Sequence, residues 1–537
     1  MQPRHVLPVA VLLVAGACSG GGSSTDPTDP SDPPADDVVD ARAYYDDYEE
    51  DAGDQSTGAL PTSEAADASP PLIPDIPDVT EDNTFDDVGD TGFVPTAVDA
   101  RSTFGLDVDT GSYRIAHRFA EEGYRPPRDS IRVEEWVNSF DHGYDAPDDD
   151  TLALSVDTGE SPYATDGTRL VQIGIATQEL APSERPPAAI TFVVDTSGSM
   201  DIRERLGLVK SSLALLVTSL RPDDTIAVVT YGDESRSLLE PTPVAEHEQI
   251  VDAIDDLQPG GSTNMEAGLR QGYRNATEAY REDAVNVVLL ASDGVANVGV
   301  SKPGGLVKMI ERRGRDGIHL VTVGYGMGNY NDTLMEQLAN RGDGFYSYLD
   351  TFEEAEALFV DELTPTLTTV ARDAKSQVTF DPAQVESYRL IGYENRAIAD
   401  DDFRDDTVDA GELGAGHTVT ALYEVRLADG TAPGDELGSV AVRWQPTEHG
   451  GTGVSAEVQE VSAAIPAADA GDPDRLAMAA TIAAAAEVLR GNADITGRQI
   501  TLAQVQGEAR RLADAGRPGA QELADYLATV RPLKEAP

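Results

Sequence analysis

Between residues 186 and 371 the chain alternates short apolar runs with longer segments in which apolar residues recur at helical spacing. Ala189–Val194 and Val285–Ala291 are almost wholly apolar, which is typical of strands buried on both faces. Residues 206–220 place leucine and valine three or four positions apart, as on one face of a helix. The alternation predicts an α/β fold with a doubly wound, mostly parallel sheet covered by helices. The predicted strands are 189–194, 225–231, 285–291, 318–324 and 344–349, and the predicted helices are 206–220, 250–257, 265–280, 304–313, 332–340 and 352–370.

The flanking regions, 96–185 and 372–465, show the alternation of half-buried antiparallel strands. We expect strands in 150–177 to pair with strands in 374–445, so that the α/β unit is inserted into a β-sandwich; two independent β modules are the alternative. Residues 466–537 are helical in pattern and are expected to cap the body. The predicted strands are Leu152–Val156, Leu170–Ile175, Gln377–Phe380, Ser387–Ile391, Thr418–Leu427 and Ser439–Trp444, and the predicted helices are Asp474–Leu489, Leu502–Ala513 and Ala520–Val530.

Residues 1–17 have the pattern of a secretory signal peptide: Arg4, an apolar run from Val6 to Ala15, and small residues before Cys18. A run this short is typical of a signal peptide and not of a membrane span. The end of the run resembles the lipobox of bacterial lipoproteins, in which the cysteine becomes the lipidated first residue. We therefore expect a lipoprotein anchored in the cell envelope at Cys18, in the outer membrane if two membranes are present, with an extracytoplasmic body. Ordinary cleavage beside an unmodified cysteine is the alternative.

Residues 18–95 form an acidic, Pro-, Gly- and Ser-rich stretch. From residue 19 on they contain 21 acidic side chains and one basic one, Arg42. Such a composition buries too little apolar surface to offset chain entropy, so the stretch is predicted to be a disordered tether. Tyr44, Tyr45 and Tyr48 lie inside it, either as a docking motif or as decoration of a linker.

The charge of the chain narrows the possible functions. It has 96 acidic and 39 basic residues and a net charge of −57. Nucleic-acid binding by phosphate neutralisation, and adhesion to anionic lipid by a basic patch, both need the opposite sign. The sequence has no P-loop, G-x-S-x-G or H-E-x-x-H motif, so we do not expect an enzyme. Asp109-Thr-Gly-Ser and Asp157-Thr-Gly resemble aspartic-protease half-sites, but their separation of 48 residues is too short for two lobes, and turn formation explains them better.

Three polar loops follow or face the carboxyl ends of predicted strands, where ligands bind in such sheets. Their oxygen-bearing side chains are hard ligands that suit octahedral Mg²⁺, or Mn²⁺ or Ca²⁺, with water completing the shell. A hydrogen-bonded polar cluster that binds no metal tightly is the alternative. The candidate ligands are Asp195, Ser197, Ser199, Thr263 and Asp293.

Together these loops resemble the metal-ion-dependent adhesion site of von Willebrand factor type A domains. The resemblance rests on Asp195-Thr-Ser-Gly-Ser199, on Thr263 and on Asp293-Gly294, in that order along the chain. It implies that Ser197, Ser199 and Thr263 contact the metal through hydroxyls and that both aspartates act directly or through water. It also implies an open sixth position for an acidic side chain of a partner protein.

A longer resemblance, over roughly residues 96–530, is to YfbK-type bacterial lipoproteins, and it implies a body of three parts. It is carried by five segments, namely Phe104–Tyr113, Arg132–Trp136, Gly324–Asn331, Tyr388–Ala397 and Asp409–Tyr423.

Two functions follow as expectations. In the first, the chain displays a metal-bearing domain that binds an unidentified acidic protein partner, as in adhesion. In the second, the chain is a structural or assembly factor of the envelope, its β-rich flanks bind the partner, and the metal only braces the loops. The domain boundaries predicted from the pattern are 1–17, 18–95, 96–185, 186–371, 372–465 and 466–537.

Overall fold

The computed structural model describes the chain from residue 92 onward with short gaps, together with a segment that precedes it. The predicted signal peptide, Cys18 and most of the predicted tether lie outside the described residues. In the described part, no helix is both long and apolar enough to cross a membrane. The described residues are 39–48, 85, 89, 92–106, 109–148, 150–164, 166–181, 183–294, 303–326, 332–362, 367–406, 408, 410–448, 453–454, 458–492, 495 and 497–535.

Strands and helices are numbered in chain order. The strands are β1 (Val94–Pro95), β2 (Arg101–Gly105), β3 (Tyr124–Arg125), β4 (Leu152–Glu160), β5 (Arg169–Thr177), β6 (Ala188–Asp195), β7 (Thr225–Tyr231), β8 (Ser235–Pro243), β9 (Val285–Ser292), β10 (His319–Tyr325), β11 (Tyr346–Leu349), β12 (Thr369–Phe380), β13 (Val385–Ile391), β14 (Leu413–Gly414), β15 (Thr418–Leu427), β16 (Glu436–Glu448), β17 (Gly453–Val454), β18 (Gln459–Pro466) and β19 (Lys534–Glu535). The helices are α1 (Ala43–Asp46), α2 (Gly111–Glu121), α3 (Val133–Asn138), α4 (Leu208–Ser219), α5 (His247–Asp255), α6 (Met265–Glu278), α7 (Pro303–Arg315), α8 (Asp332–Arg341), α9 (Phe352–Glu356), α10 (Pro473–Arg490), α11 (Leu502–Asp514) and α12 (Ala520–Val530).

The α/β unit is built on a six-stranded sheet in the order β11-β10-β9-β6-β7-β8. All neighbours are parallel except the edge strand β8, which is antiparallel to β7. Every residue of β6 and β9 is buried, because helices cover both faces. Val193 belongs to the core shared with α6, α7 and α8, whereas the Phe192 ring faces Phe359 at 6.4 Å on the other side. The predicted doubly wound sheet is confirmed.

Two predictions for this unit are wrong in detail. Strand β8 was not predicted, because it carries Pro241 and Pro243, and proline in a strand is tolerated only at an edge or a bulge. The helix predicted over 352–370 extends too far, because β12 begins at Thr369; before it, α9 passes into a π-helical turn, Ala357–Asp361, and Leu367 is again helical. Leucine and phenylalanine keep the helical spacing, so the pattern did not mark the change.

The flanking strands form two sheets that share one core. One has the order β1-β13-β15-β5-β4, and the other runs β14-β12-β16-β17, with β18 on β16 and β2 on β12. Strand β5 pairs with β15, from Thr418 opposite Ala176 to Val425 opposite Arg169. The pairing predicted between 150–177 and 374–445 is therefore present, and the α/β unit lies in the chain between two adjacent strands of one sheet.

The C-terminal helices α10, α11 and α12 form a separate hydrophobic core with α2 and α3. Tyr113, Trp136 and Tyr526 make edge-on ring contacts within it, with Trp136 wholly buried. Aromatic pairs of this geometry add to the stabilisation from buried area. The tail is thus packed against the N-terminal flank.

Buried ion pairs join the parts of the body. Arg389 in β13 pairs with Glu424 in β15 at 2.9 Å and with Glu487 in α10 at 2.5 Å. The Asp-Thr-Gly tripeptides have the same structural role, because Asp109 pairs with Arg396 and Asp157 with Arg475. Each aspartate is held by a guanidinium.

The prediction of a disordered tether is wrong for two described stretches. Residues 40–48 contain α1 and contact the α/β unit through Tyr44, Tyr45 and Tyr48. At the other end, β1 is paired with β13. The average composition of 18–95 concealed these local apolar positions.

Candidate metal centre

Three loops meet at the carboxyl edge of the central strands. Strands β6 and β9 are parallel neighbours, with Val194 opposite Ala291, so Asp195 and Asp293 come out at the same edge. The loop before α6 is joined to the first loop by the backbone: the Gly260 N–H donates to the carbonyl of Thr196 at 2.6 Å, and the Gly198 N–H donates to that of Gly261 at 3.2 Å. The fold therefore brings the loops of all five predicted ligands together.

Asp195 lies at the centre of the site and is wholly buried. Its Oδ1 accepts a hydrogen bond from the Ser197 N–H at 2.9 Å, and its Oδ2 accepts one from the Ser292 hydroxyl at 2.9 Å. The hydroxyls of Ser197 and Ser199 are 3.1 Å apart, which is hydrogen-bond distance. The D-x-S-x-S spacing thus places one carboxylate and two hydroxyls in a single turn.

The structure adds a residue that the sequence did not indicate. Arg205 is wholly buried, and its Nη1 donates to the backbone carbonyl of Ser199 at 2.6 Å and to Oδ2 of Asp293 at 3.0 Å. It lies in a π-helical turn, Arg203–Gly207, that leads into α4. An arginine at the start of an amphipathic helix is normally solvated, so no local signal separated it from its exposed neighbour Arg203.

The electrostatics of the site favour a cation. Both aspartates are fully buried, and the Arg205 guanidinium is bonded to Oδ2 of Asp293. Burial, and secondly the charge of Asp293, raise the pKa of Asp195 to about 6. An additional positive charge beside Asp195 would favour its ionised form and offset this shift.

The ligand types also fit a hard cation. Thr263 is buried in the loop before α6. Among the described residues, no three His, Cys, Asp or Glu side chains cluster as a metal site. A cation here would therefore rely on hydroxyls and water beside the two aspartates, which is a coordination that suits Mg²⁺ better than zinc.

Glycines with positive φ angles lie in the loop before α6 and in the loop after β9. Gly261 has φ +89°, and a Cβ there would lie 3.0 Å from the backbone nitrogen of Asp233. Gly294, directly after Asp293, has φ +80°. Both positions favour glycine because other residues are strained in this region.

Comparison with known proteins agrees with this architecture. A family model described as von Willebrand factor type A domain matches residues 189–361, one described as Uncharacterized protein YfbK, C-terminal matches 365–530, and one described as von Willebrand factor matches 79–172. YfbK of Escherichia coli K12 is 41% identical over 344 residues, which are 63% of this chain and 60% of YfbK.

More distant similarities extend beyond bacteria. Human inter-alpha-trypsin inhibitor heavy chain H3 is 24% identical over 259 residues, covering 45% of this chain and 29% of that protein. A solved von Willebrand factor type A protein from Catenulispora acidiphila superposes with a TM-score of 0.42 at 15% identity, over 70% of this chain and 89% of that one. The chain thus spans less than two thirds of the curated relatives it matches. Residues 189–361 are thus a von Willebrand factor type A domain, residues 365–530 match the YfbK C-terminal model, and the chain as a whole is similar to YfbK of Escherichia coli.

Proposed function

We propose that the chain is a lipoprotein of the cell envelope whose type A domain binds a divalent cation and, through it, an acidic side chain of a protein partner. The observation that supports this most is the meeting of two buried carboxylates with the hydroxyl-bearing loops at one sheet edge. Asp195, Ser197, Ser199, Thr263 and Asp293 would hold the cation. Bound there, a divalent cation supplies the local positive charge that a carboxylate ligand needs on a protein of net charge −57.

The metal part of the proposal is tested by thermal unfolding of the full chain with Mg²⁺ or with chelator. Mg²⁺ should stabilise the wild type, because a ligand that binds only the folded state raises its stability by about 2.7 kcal/mol at a hundredfold excess over Kd. Asp195→Ala should remove this response. Asp283→Ala, at the amino end of β9 with a 78% exposed side chain, is the matched control and should keep it. An Asp195→Ala variant that responds to Mg²⁺ like wild type would refute the site.

The anchor and the partner need separate measurements. Cys18→Ala should move the protein from the membrane fraction to the soluble fraction, because the proposed lipid is then not attached. Capture of envelope proteins by the wild-type chain should depend on Mg²⁺ and fail with Asp195→Ala. Release of the captured partner by chelator distinguishes binding through the metal from binding elsewhere.

One feature favours the alternative function, an assembly factor of the envelope whose β-rich flanks bind the partner. A cleft of about 590 Å³ lies on the β-sandwich and is lined by side chains including Phe104, Tyr388, Tyr393 and Asp400. Partners that remain bound in chelator, and that are lost when Tyr388 is changed to Ala, would support an assembly factor whose flank does the binding.

A further inference from the structure

We propose that the type A domain carries a peptide-binding surface whose ligand is the chain's own segment Asp40–Tyr48, and that docking of this segment strengthens metal binding. The second part rests on the proposed metal site. The surface is formed by the turn Arg203–Gly207, the end of α5 and the start of α9.

The segment has the pattern of a docking helix. Ala41, Tyr44, Tyr45 and Tyr48 are spaced i, i+3, i+4 and i+7, which places them on one face of a helix. Ala41 is buried and the three tyrosines are partly buried. The exposed positions are charged, namely Arg42, Asp46 and Asp47. An apolar face of this kind within an acidic stretch is explained by a surface that covers it.

Each tyrosine has a defined partner on the domain. The Tyr44 hydroxyl donates to Oδ1 of Asp255 at 2.7 Å, at the end of α5. The Tyr45 ring lies 6.5 Å from the ring of Phe352 and 4.9 Å from the Arg203 guanidinium. Burial raises the pKa of both phenols, and for Tyr44 the bond to Asp255 adds to the rise. These contacts combine aromatic packing with directed hydrogen bonds.

Charge complementarity adds to the docking. Arg42 lies 4.1 Å above the Phe352 ring, and its Nη2 pairs with Glu353 at 2.6 Å. Arg42 is the only Lys or Arg between residues 5 and 100. The single basic side chain of the acidic stretch thus forms an ion pair with the type A domain.

The third tyrosine connects the segment to the metal loop. The Tyr48 hydroxyl donates to Oδ1 of Asp201 at 3.0 Å, two residues after Ser199. Its ring covers Gly207, where a Cβ would lie 3.0 Å from the ring. Between these two points lies Arg205, which bonds the Ser199 carbonyl and Asp293. The docked segment therefore braces both ends of the turn that positions two proposed ligands.

This geometry predicts that docking of the segment and binding of the metal favour each other. Docking restricts the turn to the arrangement in which Ser199 and Asp293 face the site, so it should raise metal affinity. Binding free energies are reciprocal, so metal should strengthen docking by the same factor.

Limited trypsin digestion of the full chain measures docking directly. Cleavage after Arg42 leaves a product that begins at Ala43 and is identified by intact mass. The rate of this cleavage follows the population of chains in which the segment is undocked, provided that undocking and redocking are fast compared with cleavage. We expect Tyr44→Ala/Tyr45→Ala to raise this rate at least about tenfold, while Tyr280→Ala, on the same domain, leaves it unchanged. Wild type cut as fast as the double variant would refute the docking site.

Mg²⁺ tests the coupling in the same digestion. Saturating Mg²⁺ should slow cleavage after Arg42 about fivefold or more in wild type and not in Asp195→Ala. Tyr48→Phe keeps the ring on Gly207 but removes the bond to Asp201, and should weaken Mg²⁺ affinity about threefold to tenfold. If Mg²⁺ stabilises wild type thermally but leaves the cleavage rate unchanged, the coupling is wrong and the metal site stands. If Mg²⁺ does not bind wild type, the proposed function and the coupling fail, and the variants alone decide the docking site.

Discussion

Replacement of Arg205 by Met tests the reasoning about the metal centre most directly. The change preserves much of the side-chain volume but removes the guanidinium that pairs with Asp293. At 3.0 Å and an effective dielectric constant of 20, the attraction between the two charges is about 5 kcal/mol. Breaking a buried pair from one side costs about 3–5 kcal/mol, because the remaining charge stays buried.

We therefore expect Arg205→Met to lower the free energy of unfolding in chelator by about 3–5 kcal/mol. Mg²⁺ should reduce the difference from wild type, because in the variant the cation is the positive charge nearest to both carboxylates. Urea unfolding followed by circular dichroism, with chelator and with excess Mg²⁺, measures both values.

Arg312→Met is the matched control. Its side chain is 70% exposed and it pairs with Asp316 at 3.7 Å, so its loss should change stability by less than about 1 kcal/mol. The reasoning fails if Arg205→Met is as mild as this control. It fails equally if the destabilisation is the same with Mg²⁺ and with chelator, since cation and guanidinium would then not act on the same charges.

Three further results are expected. Arg389→Met should destabilise the body by about 3–5 kcal/mol in urea unfolding, because it leaves Glu424 and Glu487 buried without this guanidinium; a neutral effect would contradict the structural role of the cluster. Burial lowers the pKa of His142 to about 4, so the unfolded state binds its proton first and stability should fall by up to about 3 kcal/mol as the pH decreases from 6.5 to 4. His142→Gln should flatten that slope between the same pH values, and an unchanged slope would show that the proton binds elsewhere. Gly261→Ala should weaken Mg²⁺ binding in calorimetry, because φ +89° and the 3.0 Å approach to Asp233 displace the loop that carries Thr263; an unchanged affinity would contradict the role of that loop.

The strands, and the loops that carry the candidate ligands, were predictable because their signals are local. Strands buried on both faces, such as β6 and β9, are mostly apolar, and the D-x-S-x-S motif begins at the last residue of the first of them. Parallel strands then place Asp195 and Asp293 at one edge without further information. Strand β8 escaped prediction because an edge strand needs no apolar alternation and tolerates proline.

Features that depend on tertiary contacts were not predictable. The burial of Arg205 arises from the fold around it, and its sequence neighbours do not differ from those of an exposed arginine. For residues 40–48 the sequence left two alternatives open, a docking motif or decoration of a linker. The helical spacing of Ala41 and the three tyrosines becomes informative only beside the surface that they contact.

The insertion of the α/β unit between β5 and β15 has a consequence for biosynthesis. Ala176 pairs with Thr418, so the ribosome must add about 240 residues before β5 meets its second neighbour. At about 5–20 residues per second this takes on the order of 12–50 s. During that interval the inward side chains of β5, Val171, Ile173 and Ile175, have no partner strand beyond the β4 hairpin, while all strands of the α/β sheet are synthesised. Any chain that has emerged only as far as the α/β unit, from the ribosome or across a membrane, thus has an open strand edge at β5, and this edge can pair with other chains until β15 is complete at Leu427.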